Sequence, residues 1–353
     1  MRRRVREYIF KTVACVILYS GALKLLNGFV NCFKVKRNES GHLEVPFFVK
    51  RVCRNVQILT YHRVNDDLDP FFSGISIAAF RSQMEYLASN CAVLSLEDAV
   101  YRLRHSDVPD NAVVVTFDDG YKDNFSNAFP ILKQLSIPAS IFLATDVVGS
   151  QRVLWHDRVF SAFRETQVEW LNGIGIDQRR YPLTSLEDKL SAQREVLNWL
   201  WALNDDERFF WIDRLNSELG VCDRKETPNL MLNWDEIKIM QQHIVTFGSH
   251  TMTHPILSRI SIERIKTEIQ CSKKTIEEHL KVPVRTFAYP VGRNQDFNED
   301  AKILLQEAGY ICAVTTIPGT NESGQDPFEL RRATPWETYL PAFAAKLNWY
   351  KFC

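Results

Sequence analysis

The stretch NAVVVTFDDG at residues 111–120 joins a continuous apolar run to two carboxylates and a glycine. Its apolar part is β-branched and does not alternate with polar residues, which is typical of a strand covered on both faces. Similar runs recur along the chain: VQILT at 56–60, ASIFLAT at 139–145, IVTFGS at 244–249, RTFAYP at 285–290 and YICAVTT at 310–316. We predict that all of them are parallel strands.

Helical stretches with recognisable ends lie between these runs. Ser76 precedes one of them, Ser95 with Asp98 resembles a capping box, Ser261 opens a long amphipathic stretch, and another helix spans residues 298–308. Strands that alternate with helices predict a parallel α/β architecture, and seven or so such units favour a closed barrel over an open sheet.

Residues 150–233 interrupt this alternation, because they show helical patterns rich in tryptophan, leucine and charge and no convincing strand. A connection of about 80 residues exceeds the usual ~2–6 residues between a strand and a helix. We interpret this segment as a helical insertion beside the site. It lies within a barrel that spans residues 51–335, which is followed by a tail at 336–353.

The overall composition belongs to an ordinary globular protein. The 353 residues are 45% hydrophobic and 24% charged, which excludes the disordered, collagen-like and coiled-coil classes. Basic and acidic residues balance at 43 each, so bulk electrostatics predicts no nucleic-acid partner. The function is therefore expected in a local site.

Residues 1–50 differ from the rest of the chain. Arginines precede the uncharged run TVACVILYSGAL at 12–23, which is shorter than the ~20 residues of a spanning helix. The spacing of its apolar residues favours an amphipathic helix, on a membrane surface or packed against the body, with a signal peptide or anchor as the alternative.

The eight cysteines form no C-x-x-C pair, which indicates reduced thiols. We expect a cytoplasmic protein with association at the membrane surface through this helix; an exported or anchored protein is the alternative.

Two adjacent carboxylates, Asp118 and Asp119, directly follow the strand quoted first. The carboxyl ends of barrel strands converge on one rim, where active sites are built. At such a rim one carboxylate could bind a metal ion while the other stays free as a base. An Asp-Asp-Gly sequence is also common in solvated turns, so this pair alone does not establish a site.

Histidines follow two other predicted strands. His250 and His254, in SHTMTH, are four residues apart, which would place both imidazoles on one face of a helical turn and suit a shared divalent cation. With Asp119 they would form a site of two histidines and one carboxylate. His62, in LTYHRV, would reach the same rim, either as a general acid or as a structural histidine bonded to the backbone.

Three ordered motifs resemble those of the polysaccharide deacetylase family, the NodB-homology group of carbohydrate esterases (family 4): TFDDG at 116–120, SHTMTH at 249–254 and FAYPVG at 287–292. The resemblance runs from about residue 56 to 335, apart from the insertion. It implies a distorted (β/α)7 TIM-like barrel. It also implies a metal-dependent hydrolase that removes N-acetyl groups from a polysaccharide or glycan, such as an exopolysaccharide, and releases acetate.

The resemblance also implies roles for the polar residues at the rim. Asp119, His250 and His254 would bind one divalent metal ion, zinc in the first place and nickel, cobalt or iron(II) as alternatives. Asp118 would be the general base.

The third motif would contribute the substrate pocket. By resemblance, Tyr289, Pro290 and Val291 would line the acetyl group, with the Val291 amide aimed at the developing oxyanion. Trp155, at the start of the insertion, could stack on a sugar ring, with a buried helix anchor as the alternative reading.

The sequence departs from the common family pattern in two places. Ala288 replaces the arginine that pairs with the base in many members, and Arg293 or Arg331 are the candidates to substitute for it. No histidine follows His279, so the usual late catalytic histidine is missing. His62 in YHRV matches a permuted branch of the family in which an early tyrosine-histidine pair fills that role.

Two rival functions share these residues. Two histidines and one carboxylate also occur in non-haem iron enzymes. A non-catalytic carbohydrate-binding barrel is the other rival, and the missing arginine favours it. The intact carboxylates and histidines argue for the hydrolase, whose partner would be an N-acetylated glycan.

Overall fold

The computed structural model describes residues 54–349 apart from 68, 73, 174, 176–178, 222–228 and 336, together with two short strands upstream. Those strands, β1 (Lys36–Arg37) and β2 (Leu43–Glu44), pair antiparallel. The predicted N-terminal amphipathic helix lies outside the described residues. Within them, no helix combines the length and the apolar character that crossing a membrane requires.

The centre of the molecule is a seven-stranded sheet whose strand pairs are parallel. Its strands are β3 (Val56–Tyr61), β4 (Ala92–Leu94), β5 (Ala112–Phe117), β6 (Ala139–Leu143), β9 (Val245–Ser249), β10 (Thr286–Ala288) and β11 (Cys312–Val314). The order is β11-β10-β9-β6-β5-β3, and β4 pairs with the first half of β5. Strands β3 and β5 are buried at every position, as continuous apolar runs predict. Only β4 was not predicted, because three half-buried residues carry too little pattern.

Residues 330–333 close the curled sheet. Two isolated parallel bridges pair Val314 with Leu330 and Leu59 with Ala333, so this segment lies between β11 and β3. The predicted distorted barrel is therefore confirmed, with a closing segment that is not a regular strand.

Helices α1 to α10 lie between and after the strands along the chain. They are α1 (Ile77–Asn90), α2 (Leu96–His105), α3 (Phe129–Leu135), α4 (Trp155–Glu165), α5 (Leu186–Leu200), α6 (Asp205–Glu218), α7 (Trp234–Gln241), α8 (Ile262–Leu280), α9 (Glu299–Glu307) and α10 (Leu340–Trp349). The predicted caps Ser76, Ser95, Ser261 and Asn298 each accept a hydrogen bond from the amide three residues on. Such a cap stabilises a helix by about 1 kcal/mol.

The insertion has a hydrophobic core of its own. Helices α4 to α6 bury Trp155, Phe163, Leu200 and Ile212 together, apart from the main barrel core. The expectation of helices is right, but the segment also contains an antiparallel hairpin, β7 (Trp170–Asn172) with β8 (Arg180–Pro182). Each of these two strands has three residues of which only the middle one is buried, so neither forms a continuous apolar run in the sequence. The segment predicted as a tail contains α10. The side chain of Gln57 in β3 donates a hydrogen bond to the carbonyl of Leu347 in this helix.

Substitution of Asn321 should weaken the closure of the barrel. The side chain of Asn321 is fully buried. Its Nδ2 donates to the backbone carbonyls of Val56 and Arg331, and its Oδ1 accepts the backbone amide of Arg331. We expect Asn321→Ala to lower the free energy of unfolding by about 3 kcal/mol in a urea titration, because buried backbone groups lose their partners. The control is Asn90→Ala, at an exposed helix end, with a change within about 0.5 kcal/mol. Equal effects of the two substitutions would contradict this role.

Candidate active site

Three of the predicted rim residues meet in space. Asp119 Oδ1 lies 3.3 Å from His254 Nε2 and 3.5 Å from His250 Nε2. One possible ligand atom from each of the three side chains lies within 4.8 Å of the others, and all three are buried. The predicted cluster of two imidazoles and one carboxylate is therefore present.

The donor set fits a divalent cation. Asp119 Oδ1 and His254 Nδ1 are buried and have no hydrogen-bond partner within the described part of the chain. His250 Nδ1 lies 2.8 Å from the Ala288 carbonyl, which assigns the proton to Nδ1 and leaves the Nε2 lone pair facing Asp119. Burial lowers the pKa of His250 to about 4, so its ring is neutral, as a metal ligand must be.

The carboxylate of Asp119 is held in its charged form. Burial alone would raise its pKa, but the adjacent His254 and, after it, His156 lower the pKa below the ordinary range. A charged oxygen that faces two imidazoles and accepts no hydrogen bond is what a cation site requires.

The backbone around SHTMTH is an irregular loop, which corrects the expected helical turn. Thr251 and His254 adopt left-handed φ values of 68° and 60°, and these turns bring the two imidazoles together. The buried Glu268 of α8 stabilises the loop by accepting the amides of residues 252–253 at 2.8 and 3.0 Å. Glu268 escaped sequence reasoning because it lies far along the chain in an ordinary helical pattern.

Arg332 pairs with the second carboxylate. Its guanidinium donates to both oxygens of Asp118, at 2.8 Å and 2.6 Å, and both side chains are buried. The expectation that Arg293 or Arg331 would fill this role is wrong, since Arg293 pairs with Asp296 and Arg331 is exposed. Residue 332 lies in the closing segment of the barrel, where no strand pattern indicated which side chain points inward.

The charge of Arg332 determines the protonation of Asp118. Burial alone would raise the pKa of this carboxyl, but the guanidinium reverses the effect and lowers it below the ordinary value. His62 Nε2 lies 4.0 Å from Asp118 Oδ2, and its side chain is 30% exposed against 2% for Asp118. His62 therefore lies on the open side of the site, next to the buried carboxylate.

The loop that carries His62 is held by polar residues that follow the first motif. Asn124 donates to the His62 carbonyl at 2.8 Å. Asp123 accepts from Arg63 Nε at 2.8 Å and from the Val64 amide at 3.3 Å. No sequence motif assigned these residues a role, although Asp123 and Asn124 lie only four and five positions after Asp119.

The side chain of Tyr289 belongs to the barrel core. It is fully buried, its hydroxyl donates to the Phe328 carbonyl at 3.0 Å, and its ring stacks on Phe297. Only the backbone is left for a substrate there, which corrects the expected role of the side chain. The following loop contains the buried Pro290 and the half-buried Val291, whose φ of 60° is unusual for a β-branched residue. Within the described residues, the Val291 amide donates to no backbone carbonyl.

Trp155 does not have a free face for a sugar ring. Its side chain is 2% exposed, the Arg208 guanidinium lies 5.1 Å from the ring centre, and the indole N–H donates to the His254 carbonyl at 3.2 Å. The expectation of sugar stacking is therefore wrong, and the alternative of a buried helix anchor describes the residue.

A second group of polar side chains, missed by sequence reasoning, lies behind Asp119. His156 Nε2 is 3.8 Å from Asp119 Oδ2 and 3.0 Å from the Tyr121 hydroxyl, which donates to Asp157 at 3.0 Å. Burial lowers the pKa of His156 to about 3, so the ring is neutral. Burial, together with the charge of Asp119, raises the pKa of Asp157 to about 7.

The fold and the site define an α/β barrel protein with carboxylates and histidines gathered at the carboxyl ends of its strands. The sequence profile of the polysaccharide deacetylases matches residues 105–175 and 184–313. Because the match takes in more than half of the chain, this protein belongs to the polysaccharide deacetylase family. Enzymes of this family hydrolyse the N-acetyl amide bonds of polysaccharides. The resemblance and the enzyme class inferred from the sequence are therefore confirmed.

Two relatives illustrate the likeness in sequence. YxkH of Bacillus subtilis, which carries the family's name, is 23% identical over 78% of this chain and 69% of its own length. The poly-β-1,6-N-acetyl-D-glucosamine N-deacetylase of Staphylococcus epidermidis is 33% identical over 106 residues. The latter match covers 26% of this chain and 37% of the staphylococcal enzyme.

Solved structures show the same fold. IcaB from Ammonifex degensii superimposes with a TM-score of 0.56 and 20% identity, covering 84% of this chain and 97% of its own. A Streptococcus pyogenes deacetylase, solved with acetate, gives a TM-score of 0.53 and 19% identity over 79% of this chain and 92% of its own.

Removal of the Arg332 charge should shift the pH dependence of activity. In Arg332→Met the pKa of Asp118 rises, because the guanidinium charge that lowers it is gone, so this carboxyl group becomes protonated at a higher pH. The acid limb of kcat/KM for deacetylation should therefore move upward, by about 1–3 pH units. The uncompensated buried carboxylate should also lower the free energy of unfolding by about 3–5 kcal/mol.

The exposed neighbour provides the matched control for this experiment. Arg331→Met should leave both the acid limb and the stability close to wild type. Arg332→Lys should give an intermediate limb, since a single ammonium replaces the two-pronged contact. An unshifted acid limb in a folded Arg332→Met protein would show that the arginine does not control the base.

Proposed function

We propose that the chain is a metal-dependent N-deacetylase that removes acetyl groups from an N-acetylated polysaccharide or glycan and releases acetate. One observation carries the proposal: two adjacent carboxylates have different partners. Asp119 faces two imidazoles with an oxygen that accepts no hydrogen bond within the described residues, whereas Asp118 is held by Arg332. The arginine whose absence from the third motif favoured a non-catalytic barrel thus has a counterpart in the closing segment.

The cation would be held by Asp119, His250 and His254. Zinc is the first candidate for such a donor set, and nickel, cobalt and iron(II) are alternatives. When bound, the cation supplies Lewis-acid polarisation of the amide carbonyl and lowers the pKa of water.

Asp118 would act as the general base. Arg332 keeps its carboxylate ionised and fixed in position, so it can take a proton from the water that attacks the acetyl carbon. Because Asp118 is not part of the cluster that faces the cation, its basicity remains available for this step.

His62 would act as the general acid. It lies beside Asp118 on the open side of the site, and in its protonated form it can give a proton to the amide nitrogen as the C–N bond breaks. The products are acetate and a free amino group on the sugar. The bond from Asn124 to the His62 carbonyl fixes the loop from which the imidazole reaches the substrate.

The Val291 amide would stabilise the developing oxyanion. Val291 has a left-handed φ, a conformation that β-branched residues rarely adopt. Such rare backbone conformations are found preferentially at functional sites. One such preorganised donor contributes on the order of 3 kcal/mol to the transition state.

The first substrate to test is poly-β-1,6-N-acetylglucosamine. The support is the 33% identity over 106 residues with the staphylococcal enzyme that is named for this polymer. Hydrolysis by the zinc-loaded protein without oxygen would separate this function from that of a non-haem iron oxygenase, which needs O₂ and redox-active iron.

The assignment of Asp118 as the base and Asp119 as a metal ligand can be tested directly. Asp118→Asn should lower kcat for acetate release by about 100- to 10,000-fold, because the base is lost, while one metal ion per chain is retained. His254→Ala should lose metal and activity together. Asp110→Asn, at an exposed position, is the control and should match wild type in both measurements. Loss of metal from Asp118→Asn would reverse the assignment of Asp118 and Asp119.

Two substrates with different leaving groups can separate an acid role of His62 from a general disturbance of the active site. His62→Ala should slow the release of acetate from an N-acetylated sugar by about 100-fold, because an amine needs a proton to depart. Hydrolysis of an aryl acetate should change only a few-fold, since a phenolate leaves without one. Asp118→Asn should slow both reactions, and His105→Ala, at an exposed position, neither. Equal losses on both substrates in His62→Ala would exclude the acid role.

A further inference from the structure

The first turn of helix α4 belongs to the insertion, yet it contacts the candidate metal site. His156 Nε2 lies 3.8 Å from Asp119 Oδ2, while Oδ1 of the same carboxylate faces His250 and His254. The rings of His156 and His254 are 5.1 Å apart and nearly perpendicular. The insertion therefore covers the side of Asp119 that is turned away from the ligand cluster.

The hydrogen bonds around Tyr121 assign the proton on His156. The single hydroxyl hydrogen of Tyr121 is donated to Asp157 Oδ1 at 3.0 Å, and the other oxygen of Asp157 accepts the Leu154 amide at 3.3 Å. His156 Nε2 lies 3.0 Å from the same hydroxyl oxygen; when Asp157 is ionised and holds the Tyr121 hydrogen, this nitrogen is the donor. Its N–H then faces both Tyr121 and Asp119 Oδ2, and Nε2 has no lone pair to offer a cation.

A second contact from the same helical turn reaches another proposed ligand. The indole N–H of Trp155 donates to the carbonyl of His254 at 3.2 Å. His254 has a left-handed φ of 60°, a conformation that persists in a non-glycine residue only where the surroundings impose it. Trp155 is one such restraint, because its indole is buried between the insertion and the barrel.

We propose that the first turn of α4 is an outer support of the metal site, in which His156 orients the carboxylate of Asp119 and Trp155 restrains the backbone of His254. This inference rests on the proposed function and adds two positioning residues to it. Partners that orient a ligand from outside the coordination sphere change metal affinity by about 10- to 100-fold when removed. The helical insertion would thus contribute directly to metal affinity.

The test measures zinc affinity by competition with a chromophoric chelator. His156→Ala should weaken binding by about 10- to 100-fold. His156→Gln, whose amide can donate at the same place, should recover most of the loss. Trp155→Phe keeps a buried ring without the N–H and should weaken binding by about three- to tenfold. His105→Ala, at an exposed position, should bind as wild type does.

Two further measurements keep the inference separate from folding and from direct ligation. The unfolding midpoint of each metal-free variant shows whether a loss of affinity merely reports unfolding, and affinities are compared at a temperature well below the lowest of these midpoints. The absorption bands of the cobalt-loaded protein should be the same in wild type and His156→Ala, because His156 is not a ligand. A change in coordination number in that variant would overturn the proposal.

The outcomes also distinguish this inference from the function on which it rests. Wild-type protein that binds no divalent cation would overturn the proposed function itself. Wild-type protein that binds zinc, with an affinity unchanged in folded His156→Ala and Trp155→Phe, would overturn this inference alone.

Discussion

The buried ion pair between Arg332 and Asp118 connects the closing segment of the barrel to the carboxyl end of β5. Arg332 lies in the segment that closes the sheet between β11 and β3, and Asp118 directly follows β5. Burial of either charge alone is strongly unfavourable, so each constrains where the other can lie. Closure of the barrel therefore brings Arg332 to Asp118 and keeps the Asp118 carboxylate ionised. The site chemistry can exist only if the barrel closes in this register.

The division between the two carboxylates follows from their surroundings. They are adjacent in sequence and both almost fully buried, yet one meets a guanidinium and the other meets imidazoles. Opposite charge lowers the pKa of Asp118, and the histidines do the same for Asp119. The structure thus separates two chemically identical side chains into a candidate base and a candidate ligand. The insertion takes part in this separation, because its His156 lies 3.8 Å from an oxygen of Asp119.

Much of the architecture was accessible from local sequence patterns. Each of the six predicted apolar runs forms a strand, and four polar residues cap helices as expected. These features depend on neighbours within a few positions, which is why a single sequence reveals them. The motifs TFDDG and SHTMTH were also sufficient to identify Asp118, Asp119, His250 and His254 as a group. Their ordered spacing pointed to the family that the profile match then established.

Several of the predictions that went wrong concern the direction of a side chain or the shape of a loop. The family resemblance placed Tyr289 in the acetyl pocket, and sugar stacking was one of two roles considered for Trp155, but packing turns both side chains into the protein interior. The histidine pair was assigned to a helical turn from its spacing, whereas left-handed residues and Glu268 build an irregular loop. Nothing local distinguishes these alternatives.

The alternation of strands and helices and the types of residue at the rim follow from local patterns in the chain, because apolar periodicity and helix capping act over short range. Long-range packing selects the arginine that meets Asp118 and brings the insertion to Asp119. Arg332 is 214 positions from its partner, and His156 is brought in by an insertion that packs on a separate core. Contacts of this kind depend on how the sheet curls and closes, and no pattern within one segment encodes that.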